Sequence, residues 1–261
     1  VTELLVKGAA GAAGGATYVD DVFSTYLYAG QSTTKTITNG IDNLGEGGML
    51  WVKNRDNARG HQLYDTERLA SGSNTTSDYS LTSNSNGAER DMSPNGIVTW
   101  KNDGWSVLGG DGDINQNGFG DYASWNFRKQ KGFFDIVEFS GNGTSSQVIS
   151  HNLGSVPGCI ILKSKNTADN WKVYHRGNNG GSNPERWLVK LNDTQASSEY
   201  TEWWNNTAPT ETNFTVGEWN NVSGWNYVAY IFGHDEQSYG ENGDQSIIKC
   251  GSYVGNGSTN G

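Results

Sequence analysis

The sequence predicts an all-β protein made of two tandem antiparallel β-sandwiches, of the jelly-roll or lectin-like kind, each about 110 residues long, followed by the start of a third. Three observations support this prediction. Short apolar runs alternate with clusters of Gly, Asn, Asp and Ser along the whole chain. No window of about 12 residues carries a helical apolar stripe that is free of glycine. Similar segments recur at a nearly constant spacing, which is the signature of an internal repeat.

The predicted strands are short and rich in aromatic and β-branched residues. Glycine, asparagine and serine clusters separate them, as in sandwiches and unlike βαβ units. In chain order they are residues 49–52, 97–100, 133–139, 159–162, 187–191, 227–232 and 247–250.

The repeat is seen by aligning the chain with itself. Residues 48–53 resemble residues 158–163 at an offset of 110, and residues 122–127 resemble residues 227–232 at an offset of 105. The change in offset indicates loops of different length, which surface connections tolerate. We therefore expect a Gly/Ala-rich lead over 1–25, one repeat over 26–136, a second over 137–250, and the start of a further repeat or a polar tail over 251–261. Such an ending predicts a fragment of a longer polypeptide.

Composition excludes several classes of protein. The 261 residues include 18 Lys+Arg and 28 Asp+Glu, a net charge of -10 without a basic stripe, so nucleic acid is not an expected partner. No apolar run is long enough for membrane insertion, and no secretory signal is visible. The aromatic residues, 10 Trp, 12 Tyr and 8 Phe, supply enough apolar surface for a core.

The two cysteines, Cys159 and Cys250, lack the number and spacing of a disulfide scaffold or a zinc site. Cys159 aligns with Met49 in the other repeat. A sulfur side chain replacing another on an apolar strand predicts a buried, reduced core position.

No enzyme motif emerges around the four histidines. Asp65 and Glu67 lie two residues apart, which on a strand places both carboxylates on one face, as a glycosidase would need. The second repeat carries no acid at the matching position. The favoured interpretation is a solvated strand edge with an ion pair to Arg68, and we expect no enzymatic activity.

One segment has the pattern of a calcium-binding loop, with Gly118 at the sixth position. Position 12 is Ser124, where a bidentate glutamate is expected. The ligands of this loop would be Asp113, Asn115, Asn117 and Asp121. Two interpretations remain open: a weak calcium loop of the extracellular type, or an Asx-rich turn, which is favoured. No other cofactor is expected.

Aromatic side chains beside polar ones are the remaining candidate for a binding function. Alternation along 171–176 places Trp171 and His175 on one face of a strand and Tyr174 and Arg176 on the other. Adjacent tryptophans at 203 and 204 would point to opposite faces, one into the core and one outward. A flat apolar ring with polar neighbours suits a sugar. The candidate carbohydrate-binding residues are Trp171, Tyr174, His175, Arg176, Trp203, Trp204, Asp65 and Arg68.

Several longer motifs resemble those of tail-fibre-like proteins of marine phages, particularly phages of cyanobacteria. They lie at residues 17–28, 37–41, 45–53, 127–135, 151–158, 204–209, 214–217 and 247–253. The resemblance covers nearly all of residues 15–261. It implies a tandemly repeated, poorly characterised β domain of a virion appendage, extracellular, near lectin-like modules. It brings no catalytic residues with it.

These observations lead to three hypotheses about function. The first is a tail-fibre or receptor-binding component that attaches to host surface polysaccharide without cleaving it. The second is a purely structural virion protein, such as a fibre shaft, collar or capsid decoration. The third is a polysaccharide depolymerase. A bacterial surface lectin is a further alternative. The resemblance also implies other virion proteins as partners and a homo-oligomer such as a trimer.

Overall fold

The computed structural model of the protein describes residues 15–258. Strands and loops make up most of these residues, which confirms the predicted all-β class. Short helical segments are found at Val19–Val22, Asn43–Glu46, Asn178–Gly181, Pro184–Arg186 and Glu218–Asn220. None of the helices in residues 15–258 has the length and apolar character needed to cross a membrane.

Within the described residues eighteen strands follow one another along the chain. They are β1 (Phe23–Ala29), β2 (Lys35–Thr38), β3 (Gly48–Asn54), β4 (Gln62–Asp65), β5 (Thr76–Ser77), β6 (Tyr79–Thr82), β7 (Arg90–Asp91), β8 (Val98–Lys101), β9 (Gly104–Val107), β10 (Asp121–Arg128), β11 (Phe134–Ser140), β12 (Ser146–Ser150), β13 (Cys159–Ser164), β14 (Lys172–His175), β15 (Trp187–Lys190), β16 (Ser198–Glu199), β17 (Asn213–Gly217) and β18 (Asn226–Phe232).

The strands form antiparallel sheets of two sizes. The first large sheet has the order β1-β10-β3-β4-β6-β7, and the second large sheet has the order β11-β18-β13-β14-β15-β16. Two small sheets have the orders β2-β9-β8-β5 and β12-β17. The two large sheets therefore share one strand order, with β11 in the place of β1 and β18 in the place of β10.

The two large sheets also share one register. In the first, a row of cross-strand partners reads Thr25, Trp125, Trp51, Leu63. In the second, the matching row reads Ile136, Tyr230, Ile161, Val173. The residue numbers differ by 111, 105, 110 and 110, close to the offsets at which the sequence repeats. Strand β11 runs through the expected boundary at 136/137, and the division into domains at 26–136 and 137–250 stays a prediction.

The layers stack in the order small, large, large, small. Each small sheet packs on one face of a large sheet, for example through Ile37 and Leu50 in the first half and Phe214 and Ile160 in the second. The opposite faces of the two large sheets pack against each other. That inter-sheet core includes Met49, Leu63, Leu81, Ile136, Trp171, Val228 and Tyr230. Much of both faces of the large sheets is thus buried, which explains their apolar runs.

Two predictions about local structure are wrong. Residues 247–250 form no strand. Ile247 and Ile248 pack as irregular chain against the inter-sheet core, and the Ile248 carbonyl accepts a hydrogen bond from Asp235 N–H at 2.8 Å. Cys159, the first residue of β13, is half-buried rather than buried, with Cys250 beside it. The thiols of Cys159 and Cys250 are both free.

Candidate functional site

Most of the residues predicted to bind carbohydrate lie inside the protein. The six buried ones are Asp65, Arg68, Trp171, Tyr174, Trp203 and Trp204. The alternation predicted for 171–176 is present, since Trp171 packs in the inter-sheet core and Tyr174 in the core of the second sandwich. Their predicted role is nevertheless wrong, because both faces of the strand are covered and leave no ring for a sugar.

Asp65 and Arg68 lie between the large sheets and not at a solvated strand edge. Arg68 Nε donates to Asp65 Oδ2 at 2.8 Å, so the predicted ion pair is present, but both side chains are buried. Glu67 is exposed and pairs with Lys129 at 2.7 Å. Asp65 and Glu67 therefore point to different surroundings and do not form a pair of catalytic carboxylates.

Trp203 and Trp204 are both buried, although one of them was expected to be exposed. The segment is a turn and not an extended strand, and Asn205 and Asn206 follow it with φ of 50° and 49°. Because the chain turns here, the two rings do not point in opposite directions. Trp204 packs edge-on against Tyr174, at 6.0 Å between ring centroids.

His175 and Arg176 are the predicted binding residues that reach solvent. His175 is half-buried and its Nδ1 accepts a hydrogen bond from Gly177 N–H at 3.0 Å. Burial lowers the pKa of His175, and the Arg176 guanidinium lowers it further. The side chains with which they were predicted to act are buried.

The predicted calcium ligands do not converge. Asn115 is buried, with its Oδ1 accepting from Gln31 N–H at 2.8 Å and its Nδ2 donating to Thr33 O at 3.0 Å. Asp113 instead pairs with Arg90 at 3.0 Å, and its N–H donates to Asp111 Oδ1 at 2.9 Å, as in an Asx turn. Asn117 and Asp121 are exposed, and the Asp121 N–H donates to Asp56 Oδ2. Residues 15–258 contain no cluster of three or more His, Cys, Asp or Glu side chains arranged for a metal. The geometry favours the turn interpretation.

A groove of about 520 Å³ lies on the second half of the molecule, where loops meet the ends of strands β14 and β15. We call it the tryptophan groove. It is lined by Asp169, Asn170, Lys172, Lys190, Trp203, Glu218, Trp219, Val222 and Trp225. Its volume falls within the usual range for ligand sites.

The three tryptophans of the groove differ in how much ring they offer. Trp203 forms part of the wall but is buried, and the Lys172 ammonium lies over its ring, 5.0 Å from the centroid. Trp225 is half-buried against the sandwich core. Trp219 lies on the short 3₁₀ helix Glu218–Asn220 and is 59% exposed. Trp219 is therefore the ring that is available to a ligand.

Charged and amide groups stand beside these rings. Lys172 and Lys190 are cross-strand partners on β14 and β15, so the sheet register places both ammonium groups at the groove. Lys172 is paired with Asp169, whose Oδ1 also accepts a hydrogen bond from Asn170 N–H at 2.8 Å. Burial lowers the pKa of Lys172, and Asp169 acts in the opposite direction. Glu218 supplies a second carboxylate on the loop side.

A glycine fixes the loop that carries Trp203. The Gly217 N–H donates to Trp203 O at 3.1 Å. A Cβ at residue 217 would lie 1.9 Å from the backbone oxygen of Glu202, a distance that no side chain tolerates. The close approach of two backbones here requires glycine and holds the groove wall against strand β17.

The matching region of the first half is filled by its own loop. The connection from β9 to β10, residues 108–120, is five residues longer than the connection from β17 to β18, residues 218–225. Its Asp113 accepts a hydrogen bond from Gln62, which has the sheet position of Lys172, at 3.2 Å. Its Phe119 lies under Arg59, at 4.7 Å from the guanidinium carbon to the ring centroid.

Trp219 and Trp225 were not singled out from the sequence. Nothing in their local pattern distinguishes them from core aromatics. The useful signal was the fall in repeat offset from 110 to 105, which marks a shorter loop in the second half and hence an open surface.

Comparisons with known proteins give one match. A family model described as "Domain of unknown function (DUF7483)" matches residues 19–261. The comparisons with curated proteins and with solved structures found no match. The family description names no activity.

Proposed function

The chain belongs to the DUF7483 family over residues 19–261, and we propose that it is a non-catalytic carbohydrate-binding component of a virion appendage of the tail-fibre type. The observation that carries the binding role is the exposed face of Trp219 in a groove that also holds paired charged groups. The virion role and the extracellular location are supported by the resemblance of the sequence motifs to phage tail-fibre-like proteins.

The groove has the two features that a sugar ring requires. An indole offers a flat apolar face on which the C–H face of a sugar can stack, and Trp219 provides it. Sugar hydroxyls both donate and accept hydrogen bonds. Carboxylates at Asp169 and Glu218 are acceptors, and the ammonium groups of Lys172 and Lys190 are donors, which gives charge-assisted bonds.

The charges favour an uncharged sugar. Two carboxylates and two ammonium groups line the groove, so they balance locally, whereas the whole chain carries -10. A strongly anionic polysaccharide would be repelled by the body of the protein at low ionic strength. The proposed ligand is therefore a neutral glycan of the host cell surface.

Binding without cleavage is favoured over a depolymerase. A glycosidase needs one carboxyl group as an acid and a second as nucleophile or base. The groove does hold two, Asp169 and Glu218, but Asp169 is held by the Lys172 ammonium and by Asn170 N–H on its two oxygens. An acid committed to such an ion pair positions Lys172 and is not placed to donate a proton.

A purely structural virion protein is the second candidate, and one observation favours it. Six of the eight side chains that the sequence suggested for sugar binding are buried, including all four Trp and Tyr candidates. In this interpretation the polar loops contact neighbouring subunits. The tryptophan groove would then bind no glycan.

A glycan screen followed by calorimetry tests the proposal. The wild-type chain is expected to bind a neutral glycan, and Trp219→Ala to weaken that binding by about tenfold, the equivalent of about 1.4 kcal/mol. Tyr253→Ala removes an exposed aromatic ring outside the groove and is the matched control, with unchanged affinity. Equal affinities of wild type and Trp219→Ala, or no binding to any glycan, would exclude the groove as the site.

The depolymerase alternative has its own assay. Incubation of the bound glycan with the protein is expected to release no new reducing ends. Turnover that is lost in Glu218→Gln would replace the binding proposal with an enzymatic one.

A further inference from the structure

The contact between the two large sheets is unequal. One part of the second sheet's inner face lies against the first sheet and is covered. Its buried residues include Ile136, Trp171, Val228 and Tyr230. Polar bonds close the same contact: the Trp171 indole N–H donates to Thr82 O and to Ser85 O, each at 3.0 Å. We call this part of the second sheet its covered region.

The matching part of the first sheet is open. Its positions follow from the shared register: Trp125 corresponds to Tyr230, and Ala123 to Val228. Trp125 and Ala123 are only half-buried, and Leu27, beside Ala123 on the edge strand β1, is 63% exposed. Trp51 is also half-buried and marks the border of this region, where it packs against the inter-sheet core. We call Leu27, Trp51, Ala123 and Trp125 the uncovered patch.

The residues of the first sheet that cover the second sheet have counterparts at the same positions of the second sheet. Met49, Leu63 and Leu81 meet the second sheet, with Asp65 beside them. In the second sheet the same positions, read from the register, are Cys159, Val173, Val189 and His175. Of these Cys159, Val189 and His175 are half-buried and Val173 is buried, and Cys250 of the same chain lies beside Cys159. This set, the covering face, is therefore open only in part.

Each large sheet thus carries one region that can be covered and one region that can cover another sheet. Within the chain only one such pair meets: the covering residues of the first sheet lie on the second sheet. We propose that a second copy of this chain docks its covering face, Cys159, Val173, His175 and Val189, on the uncovered patch of the first copy. The contact repeats between copies the arrangement that joins the two halves within a copy. This inference goes beyond glycan binding and does not depend on it.

Two linked sequence differences favour a second copy as the occupant. Within the chain the Tyr230 hydroxyl donates to the Asp65 carboxylate at 2.7 Å. At the matching positions the uncovered patch has Trp125 and the covering face has His175. The hydroxyl and the carboxylate are thus both replaced, so docking would leave no buried carboxylate without its donor. The remaining contacts join apolar groups on both sides.

Such a contact is heterologous, because it joins two different surfaces of the same chain. Copies therefore associate head to tail, and they form either a closed ring or an open filament, according to the rotation between them. A virion appendage built from repeated subunits has use for either form.

Sedimentation velocity at increasing protein concentration tests the contact. The wild-type chain is expected to form species larger than the monomer as concentration rises. Leu27→Asp places a charge in the patch and is expected to abolish them, and Thr25→Arg, on the same face of the same strand, is expected to do the same. Val148→Asp is the matched control: Val148 is 64% exposed on a strand of the small sheet, and its substitution leaves association unchanged.

A mixing experiment tests the head-to-tail geometry. His175→Glu buries a carboxylate against Trp125 and is expected to be monomeric alone. An equimolar mixture of Leu27→Asp and His175→Glu retains one intact patch and one intact covering face, so it is expected to stop at dimers. Circular dichroism confirms that each variant is folded, and Cys159→Glu replaces His175→Glu if that variant is not.

Three results would overturn the inference. A wild-type chain that stays monomeric at every concentration has no such contact. Equal loss of association in Leu27→Asp and Val148→Asp places the contact elsewhere. Loss in Leu27→Asp without dimers in the mixture indicates a symmetric contact between two patches.

Discussion

Tyr230 on the second large sheet donates a hydrogen bond to Asp65 Oδ2 on the first, at 2.7 Å. The same oxygen accepts from Arg68 Nε at 2.8 Å, and all three side chains are buried. A buried ion pair of one half is therefore completed by a hydroxyl of the other. The two halves are therefore joined by directional hydrogen bonds as well as by apolar contacts.

Removal of the hydroxyl should cost more than removal of an ordinary one. Tyr230→Phe is expected to lower the free energy of unfolding by about 1.5–3 kcal/mol, because hydrogen bonds to charged groups fall in that range. Tyr28→Phe is the control, since its hydroxyl donates to a neutral carbonyl, Ile114 O, at 2.7 Å. Its expected loss is about 0.5–1.5 kcal/mol. Urea denaturation measures both, and equal losses would argue against a special role for the Asp65 contact.

Removal of the carboxylate should be costlier still. Asp65→Asn leaves the buried guanidinium of Arg68 with Glu89, at 3.4 Å, as its remaining acid partner. Breaking a buried pair in this way costs about 3–5 kcal/mol. Glu67→Gln removes an acid from an exposed pair with Lys129 and should cost about 0–1 kcal/mol. The melting temperatures of the two variants give the comparison, and similar values would show that the Asp65 pair is weak.

Lys163 makes stability depend on pH in the alkaline range. Burial lowers its pKa to about 8, whereas the pKa of lysine in an unfolded chain is about 10.4. Between those values the unfolded chain holds more protons than the folded one, so the free energy of unfolding rises with pH. From about pH 7.5 to about pH 9.5, wild type should gain about 2 kcal/mol relative to Lys163→Met. A constant difference between the two proteins over this range would show that the pKa is not lowered.

Calcium should not stabilise the protein through the loop at 111–121. Its Asp113 carboxylate is already paired with Arg90 at 3.0 Å and with Arg59 at 3.8 Å. The melting temperature is expected to be the same with calcium and with chelator. Asp113→Asn should cost about 0–1 kcal/mol, since both arginines are exposed. A rise in melting temperature with calcium that Asp113→Asn abolishes would restore the calcium interpretation.

Gly217→Ala should damage both the fold and the groove. Its Cβ would meet the Glu202 carbonyl, so the loop that carries Trp203 must move, at a cost of about 1–3 kcal/mol. Glycan affinity should fall with it, because Trp203 lines the groove. Gly251→Ala is the control, because a Cβ there meets nothing within 4 Å. Thermal unfolding and calorimetry give the two readouts, and a variant with normal stability would show that the loop yields easily.

The sequence was informative where local pattern decides the outcome. Strands at 48–54, 159–164 and 226–232 follow from apolar runs bounded by turn residues. The alternation of Trp171 and Tyr174 between two faces follows from strand geometry. These features depend on neighbours along the chain.

What the sequence did not reveal depends on packing between the two halves. Asp65 and Arg68 look like surface residues until the second sheet covers them. A bent turn places both Trp203 and Trp204 inside, although an extended chain would expose one. Trp219 is exposed on a loop that is five residues shorter than its counterpart in the first half. Each of these outcomes requires the three-dimensional arrangement of segments far apart in the chain.

The unequal loops at 108–120 and 218–225 show which part of the fold tolerates a change in length. The longer connection packs on its own sheet through Asp113 and Phe119, whereas the shorter one leaves the tryptophan groove beside it. Both connections join strands that hold the same places in the two large sheets. The length of this connection can therefore differ while the sheet order stays the same.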